Sequence, residues 1–263
     1  MRNFRKYGKE PFSVAVIHGG PGASGEMAPV ARELASGWGI LEPLQTVASL
    51  EGQVEELKTV LEKNADLPVI LIGFSWGAWL SFIFASKYSA TAKKLILIGS
   101  GPYEEKYAER IQETRLSRLS EEERTEVISA VEILNNPEIE DKKNAFARFG
   151  TLFSKADAYD SIKSESDELE VIDYQFDIFQ SVWSDASELR RSGRLLELGK
   201  HIKCPVVAIH GDYDSHPAEG VQKPLSAILE SFRFILLSNC GHKPWIERKA
   251  REGFFRILKE ELH

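Results

Sequence analysis

Short apolar runs alternate with longer amphipathic ones along the chain. Residues 12–17 (FSVAVI), 38–44, 68–74 (PVILIGF), 94–99, 205–210 and 233–237 are the apolar runs, and their length predicts buried strands. Between them, residues 27–35 read as a helix, and residues 50–63 carry Val54, Leu57 and Leu61 at helical spacing. Residues 76–88 predict an apolar helix, and residues 245–262 close the chain as another. Continuous apolar strands separated by helices predict a mostly parallel α/β sheet covered on both faces. Functional groups are then expected in loops at the carboxyl ends of the strands.

One segment interrupts the alternation. Residues 101–200 contain no convincing strand. Ser120 followed by three glutamates is a capping box, and it opens a helix expected to run through Val127, Val131 and Leu134. An aromatic run follows: Tyr174, Phe176, Phe179 and Trp183. The expected organisation is a core of residues 1–101 and 201–263, with an inserted helical cap over residues 102–200; the plainer alternative is that this stretch extends the core.

Composition narrows the class. A chain of 263 residues, 43% hydrophobic and 28% charged, matches an ordinary globular domain able to hold itself together without metal or disulfides. The formal net charge of −7 argues against a nucleic-acid partner, which would require clustered Lys and Arg. Cys204 and Cys240 fall near opposite ends of neighbouring predicted strands, so no disulfide is expected, which fits a reducing compartment. The basic start MRNFRKYGKEPF lacks a signal-like apolar region, and no stretch is long enough to span a membrane, so a cytoplasmic location is expected.

Candidate chemistry lies in the loops. Gly73-Phe74-Ser75-Trp76-Gly77 is a G-x-S-x-G between a predicted strand and a predicted helix. Its glycines permit a sharp turn that exposes Ser75, and the amide of Trp76 then sits at a helix N-terminus facing any developing oxyanion. The competing explanation makes Ser75 an ordinary helix cap. A serine hydroxyl needs a base oriented by a third group. Of the six histidines, His242 follows the last strand in Asn239-Cys240-Gly241-His242, on the edge that carries Ser75. His18 and His210 precede structural glycines, His201 and His263 have no such context, and His216 is the main rival. In His210-Gly211-Asp212-Tyr213-Asp214 either aspartate could hold the base, and the chain order Ser, Asp, His is the one this fold uses. The loop His18-Gly19-Gly20-Pro21-Gly22 would bring a second backbone donor to the serine.

Two other patterns compete. Residues 20–25 form a G-x-G-x-x-G with Glu42 about twenty residues on, as an NAD-binding oxidoreductase would have. Pro21 inside that turn opposes it. His210, Asp212, Asp214 and His216 alternate as metal ligands might, but Gly211 and Pro217 favour a turn.

Taken together, HGGPG at 18–22, GFSWGAW at 73–79, HGDYD at 210–214 and CGH at 240–242 resemble the α/β-hydrolase superfamily. HGGPG with Trp76 after the serine is similar to the prolyl iminopeptidase branch. The resemblance implies Ser75 as nucleophile, Asp214 in preference to Asp212 as acid, His242 as base, and the amides of Gly20 and Trp76, with Gly19 a further candidate, as oxyanion hole. It implies no metal and no organic cofactor. The implied reaction is hydrolysis of a small ester or short peptide through an acyl-enzyme, by a carboxylesterase or an aminopeptidase. Trp76, Trp245 and the cap aromatics suggest a substrate with an apolar part. The sequence departs from the iminopeptidases in three respects: the leading antiparallel hairpin is shortened or missing, residues 42–46 (EPLQT) lack an Arg-Gly signature, and the cap offers only Asp173, Asp177 and Glu188 as amine-binding candidates. A non-catalytic small-molecule binding protein on the same fold is the reading outside the enzyme class.

Overall fold

The computed structural model describes residues 3–162 and 173–263. Strands β1 (Phe4–Tyr7), β2 (Val14–Ile17), β4 (Ile40–Pro43), β5 (Val69–Phe74), β6 (Ala92–Ile98), β8 (Val206–Gly211) and β9 (Phe232–Leu237) form one sheet in the order β1-β4-β2-β5-β6-β8-β9. Every pairing is parallel except that of β1 with β4. A separate two-stranded pair joins β3 (Ala23–Ser24) to β7 (Asp173–Tyr174).

The strand period of two splits the apolar runs between two layers. Ala15, Ile17, Leu71, Leu95, Leu97 and Ala208 face one way, against α2 (Leu50–Asn64) and α3 (Trp76–Lys87). Val14, Val16, Ile70, Ile72, Ile96 and Ile209 face the other, against α1 (Ala28–Leu34) and α10 (Arg251–Glu261). Helix α3 is buried on all sides from Trp76 to Ala85, as an all-apolar helix must be.

Between β6 and β8 the chain builds α4 (Ile111–Ser117), α5 (Glu121–Asn135), α6 (Lys143–Ala156), α7 (Phe176–Arg191) and the short α8 (Arg194–Glu197); α9 (Glu219–Ile228) then links β8 to β9. Residues 163–172 of the expected cap lie outside the described residues. The capping box forms as read: Ser120 Oγ accepts from the Glu123 amide at 3.2 Å, and Glu123 accepts from the Ser120 amide at 3.1 Å. Val127 and Leu134 are buried, and Val131 packs partly buried against α6.

Three sequence expectations need correction. A strand precedes the one starting near Phe12: β1 pairs antiparallel along β4. It escapes the pattern because Arg5 and Lys6 are both exposed on an edge strand, which such charges protect from further pairing. The segment expected to lack strands contributes β7 to the small pair. The helix expected from residue 245 starts only at Arg251. Buried Glu247 diverts the chain, accepting from the amides of Tyr159, Asp160 and Gly241 at 2.9, 2.8 and 3.0 Å. Residues 246–248 consequently pair with residues 160–162 instead of coiling.

Candidate active site

Ser75 stands between β5 and α3 with φ 52° and ψ −114°, outside the regions non-glycine residues favour. The flanking glycines make that turn possible by close approach. A Cβ on Gly73 would strike the Gly77 carbonyl, and a Cβ on Gly77 would strike the carbonyls of Ile17 and His18. The Ser75 amide donates to the Ile98 carbonyl at 2.9 Å, which ties the turn to β6. Its side chain accepts no capping bond from α3, so Ser75 is no ordinary helix cap.

The loop after β8 and the loop after β9 are stitched together. The Tyr213 amide donates to the Cys240 carbonyl at 2.9 Å, and the Cys240 amide donates to Asp212 at 3.2 Å. Asp214 is fully enclosed, and its Oδ2 accepts from His242 Nδ1 at 2.7 Å. The His242 ring lies 4.8 Å from the ring of Phe74, next to Ser75, and a Cβ on Gly99 would come within 3.1 Å of its Nδ1. Asp212 is exposed and braces the backbone of residue 240.

His216 is not a bystander. Its Nδ1 donates to the other oxygen of Asp214, Oδ1, at 2.8 Å, and its backbone amide donates to the same oxygen at 2.9 Å. Its ring stacks on His242 with centroids 4.6 Å apart. Its Nε2 lies 3.4 Å from Arg115 Nη2 of α4. His210 Nε2 donates to the His216 carbonyl at 2.8 Å and lies 3.5 Å from Asp214 Oδ2. His201 and His263 are exposed. Asp214, His216 and His242 offer ligand atoms within 4.8 Å of one another, but the Arg115 guanidinium occupies the open side of His216. That cation opposes a bound metal ion. The alternating set foreseen with Asp212 does not converge, because Asp212 turns to Cys240.

The first glycine loop is positioned by His18. Its Nδ1 donates to the Gly19 carbonyl at 2.8 Å, and burial lowers its pKa and keeps it neutral. A trans peptide then directs the Gly20 amide the opposite way. Gly20 has φ 27°, and the amide of Trp76, first in α3, has no acceptor within the helix. Glu26 Oε1 pairs with Lys243 Nζ at 2.6 Å and so clasps this loop to the one carrying His242. Glu42, the acid the dinucleotide pattern would require, is buried in the sheet, where Tyr7 Oη donates to it at 2.7 Å.

Residues between β6 and β8 meet the site loops on two sides. The Gln175 amide donates to the Gly22 carbonyl at 3.1 Å, and a Cβ on Gly22 would come within 2.5 Å of the Gln175 carbonyl. On the other side Arg115 binds Asp157 with two nitrogens at 2.6–3.0 Å, Ser215 Oγ donates to Asp157 at 2.5 Å, and the Asp157 carbonyl accepts the His242 amide at 2.9 Å. This network joins Arg115 and Asp157 to Asp214 and the two imidazoles. Sequence reading missed both, since nothing near them in the chain marks them; an Arg and an Asp 42 positions apart meet only through the fold.

The aromatic residues pack against the fold. Trp76 is buried and donates to Gln53 at 3.0 Å, while Trp245 packs edge-on against Phe74 at 4.7 Å. Phe176, Phe146, Phe179, Trp183, Trp79 and Tyr103 succeed one another ring on ring, from α6 and α7 into the core. Asp177 and Glu188 are exposed, and Glu188 pairs with Arg191 at 2.7 Å.

Burial, ahead of the opposing pull of Asp214, pushes His216 down to about 4. The unfolded chain protonates it near 6.5, so native stability is expected to fall as pH drops from about 6.5 to about 4, by up to about 3 kcal/mol. Below that window the loss continues through Asp157 and Asp214, both held below the usual carboxylate value by neighbouring Arg115 and histidines against the effect of burial. Urea unfolding at pH 7, 5.5 and 4 measures the slope; an unchanged midpoint from pH 7 to 4 would show that His216 is not buried neutral.

Residues 45–249 match the sequence profile of the α/β hydrolase fold, and the chain belongs to that family of hydrolases. Among solved structures, VinJ superposes with a TM-score of 0.70 at 16% identity, covering 98% of this chain and 93% of its own. A monoacylglycerol lipase from Paleococcus ferrophilus (TM-score 0.61, 15% identity, 98% and 97% covered) and a thermophilic esterase from Thermogutta terrifontis (0.63, 18%, 98% and 92%) share the fold. No curated protein sequence gives a significant match. Among the described residues no helix is long and apolar enough to cross a membrane.

Proposed function

We propose that the protein is a cytoplasmic serine hydrolase of small carboxylic esters, with residues 102–200 as its cap. The observation that carries this reading is Ser75 on a strained turn next to Phe74, whose ring packs 4.8 Å from the imidazole of a His242–Asp214 pair of 2.7 Å. His242 Nε2 takes the proton from Ser75 Oγ as the oxygen attacks the ester carbonyl. The amides of Gly20 and Trp76 bind the resulting oxyanion. The tetrahedral species expels the alcohol, which leaves with the proton held by His242. Water, deprotonated by His242, then releases the acid and regenerates Ser75. Of the amine-binding candidates, Asp177 is exposed and Glu188 is exposed and paired with Arg191, which favours an ester over a peptide with a free N-terminus; the side chain of Asp173 lies outside the described residues.

The test is turnover of p-nitrophenyl acetate and butyrate and of proline and alanine p-nitroanilides by wild type and Ser75→Ala. Ester cleavage that drops by about 10⁴-fold or more in Ser75→Ala is the expected result. Preference for the anilides would move the assignment to an aminopeptidase, as the HGGPG loop suggests. Absence of Ser75-dependent turnover on all four would favour a binding protein on this fold.

A further inference from the structure

Asp214 is shared. A triad acid needs one imidazole, yet this carboxylate receives one on each oxygen, and the second costs the fold a buried histidine linked to a buried ion pair. We propose that His216 is a positioning residue of the triad: its Nδ1–H locks Asp214 so that Oδ2 faces His242, while Arg115 and Asp157 of the cap region hold His216 in that tautomer. The proposal rests on the serine-hydrolase reading of Ser75, His242 and Asp214.

The hydrogen-bond inventory determines the tautomer. Asp214 is an ionised acceptor, so the ring nitrogens facing it at 2.7 and 2.8 Å both carry protons. A neutral His216 then presents a lone pair at Nε2, and the group opposite is Arg115, a donor that cannot give up its charge. Arg115 is itself pinned by Asp157, which Ser215 also binds. The groups facing His216 are thus Asp214, His242 and His210 from the strand-end loops, and Arg115 and Asp157 from the cap side. The Arg115 cation and His242 both oppose a second proton on His216. When His242 becomes imidazolium during attack, the full charge of Asp214 is therefore available to it. With two donors from His216 on Oδ1, the carboxylate cannot rotate without breaking both bonds.

The experiment uses the full chain and two readouts. Proton NMR of wild type is expected to show two strongly deshielded imidazole N–H signals, of which Asp214→Asn removes the one from His242 and moves the one from His216 upfield; a single such signal in wild type would overturn the proposal whatever the activity. In the ester assay His216→Leu is expected to lower kcat about 10- to 100-fold, an effect of the size removing such an outer partner has elsewhere, with KM within about twofold. The acid limb of its pH–rate profile should move to higher pH, because Asp214, relieved of a donor, holds the His242 proton more tightly. His216→Asn, whose side-chain amide can still donate to Oδ1, should restore most of kcat and the wild-type limb. If His216→Leu folds, keeps Ser75-dependent turnover and shows wild-type kcat and limb, His216 is merely structural and the serine-hydrolase reading survives. If wild type shows both N–H signals but no Ser75-dependent turnover, the hydrolase reading fails and takes the positioning role with it.

Discussion

Asp214→Asn is expected to lower kcat about 10⁴-fold, the scale for a base held in the wrong tautomer, whereas Asp212→Asn should stay within a few-fold of wild type. An asparagine offers one acceptor oxygen and one donor nitrogen in place of two acceptors. The position of Oδ1 faces two donors, the His216 amide and its Nδ1–H, so the asparagine oxygen settles there. The amide nitrogen then faces His242 Nδ1 and obliges it to accept. The His242 proton moves to Nε2, the atom that has to take the proton from Ser75, and the base is blocked. Asp212, exposed and bonded to the Cys240 amide at 3.2 Å, touches neither imidazole. Ester turnover of the two variants decides the matter, and an inactive Asp212→Asn beside an active Asp214→Asn would reverse the assignment of the acid.

Gly77→Ala should cost several kcal/mol, at or beyond the usual 1–3 kcal/mol for overpacking (roughly), because what its Cβ meets is backbone. The carbonyls of Ile17 and His18 stand in the way, and the parallel pairing of β2 with β5 holds them there. Relief would require α3 to lift off the sheet, and with it the turn that strains Ser75. Thermal unfolding is expected to show a drop of about 10 °C, taking about 2–4 °C per kcal/mol for a domain of this size. Gly253→Ala provides the opposite sign. Gly253 lies within α10 with nothing near a prospective Cβ, so alanine should add about 0.5–1 kcal/mol from helix propensity alone. Equal melting temperatures for Gly77→Ala and wild type would mean that the turn at Ser75 can yield to the added methyl group.

Much of the site is legible in the chain because its requirements are local. The turn at Ser75 needs small residues two before and two after, and Gly73 and Gly77 stand there. The capping box at Ser120 and Glu123 spans a single helical turn. The unbroken burial of β5 follows from its own apolar run. The errors share a cause, which is a distant partner. Nothing near Trp76 or Trp245 in the chain announces that Gln53 bonds to the one and Phe74 packs on the other. A helix from residue 245 looks continuous until Glu247 is drawn to three amides, two of them nearly ninety positions away.

The sequence by itself determined the layered sheet, the strand-end loops and the short list of residues able to do chemistry, since strand period, helix period and turn glycines all act over a few residues. Only the tertiary structure decided how those residues divide the work. It put His242 beside Phe74 and turned the Nε2 of His216 to Arg115, and it gave Asp214 rather than Asp212 to both imidazoles. Those choices depend on loops 28 and 101 positions apart meeting at hydrogen-bond distance, and the direction a side chain takes there is set by the packing of whole helices and strands, which no local pattern encodes.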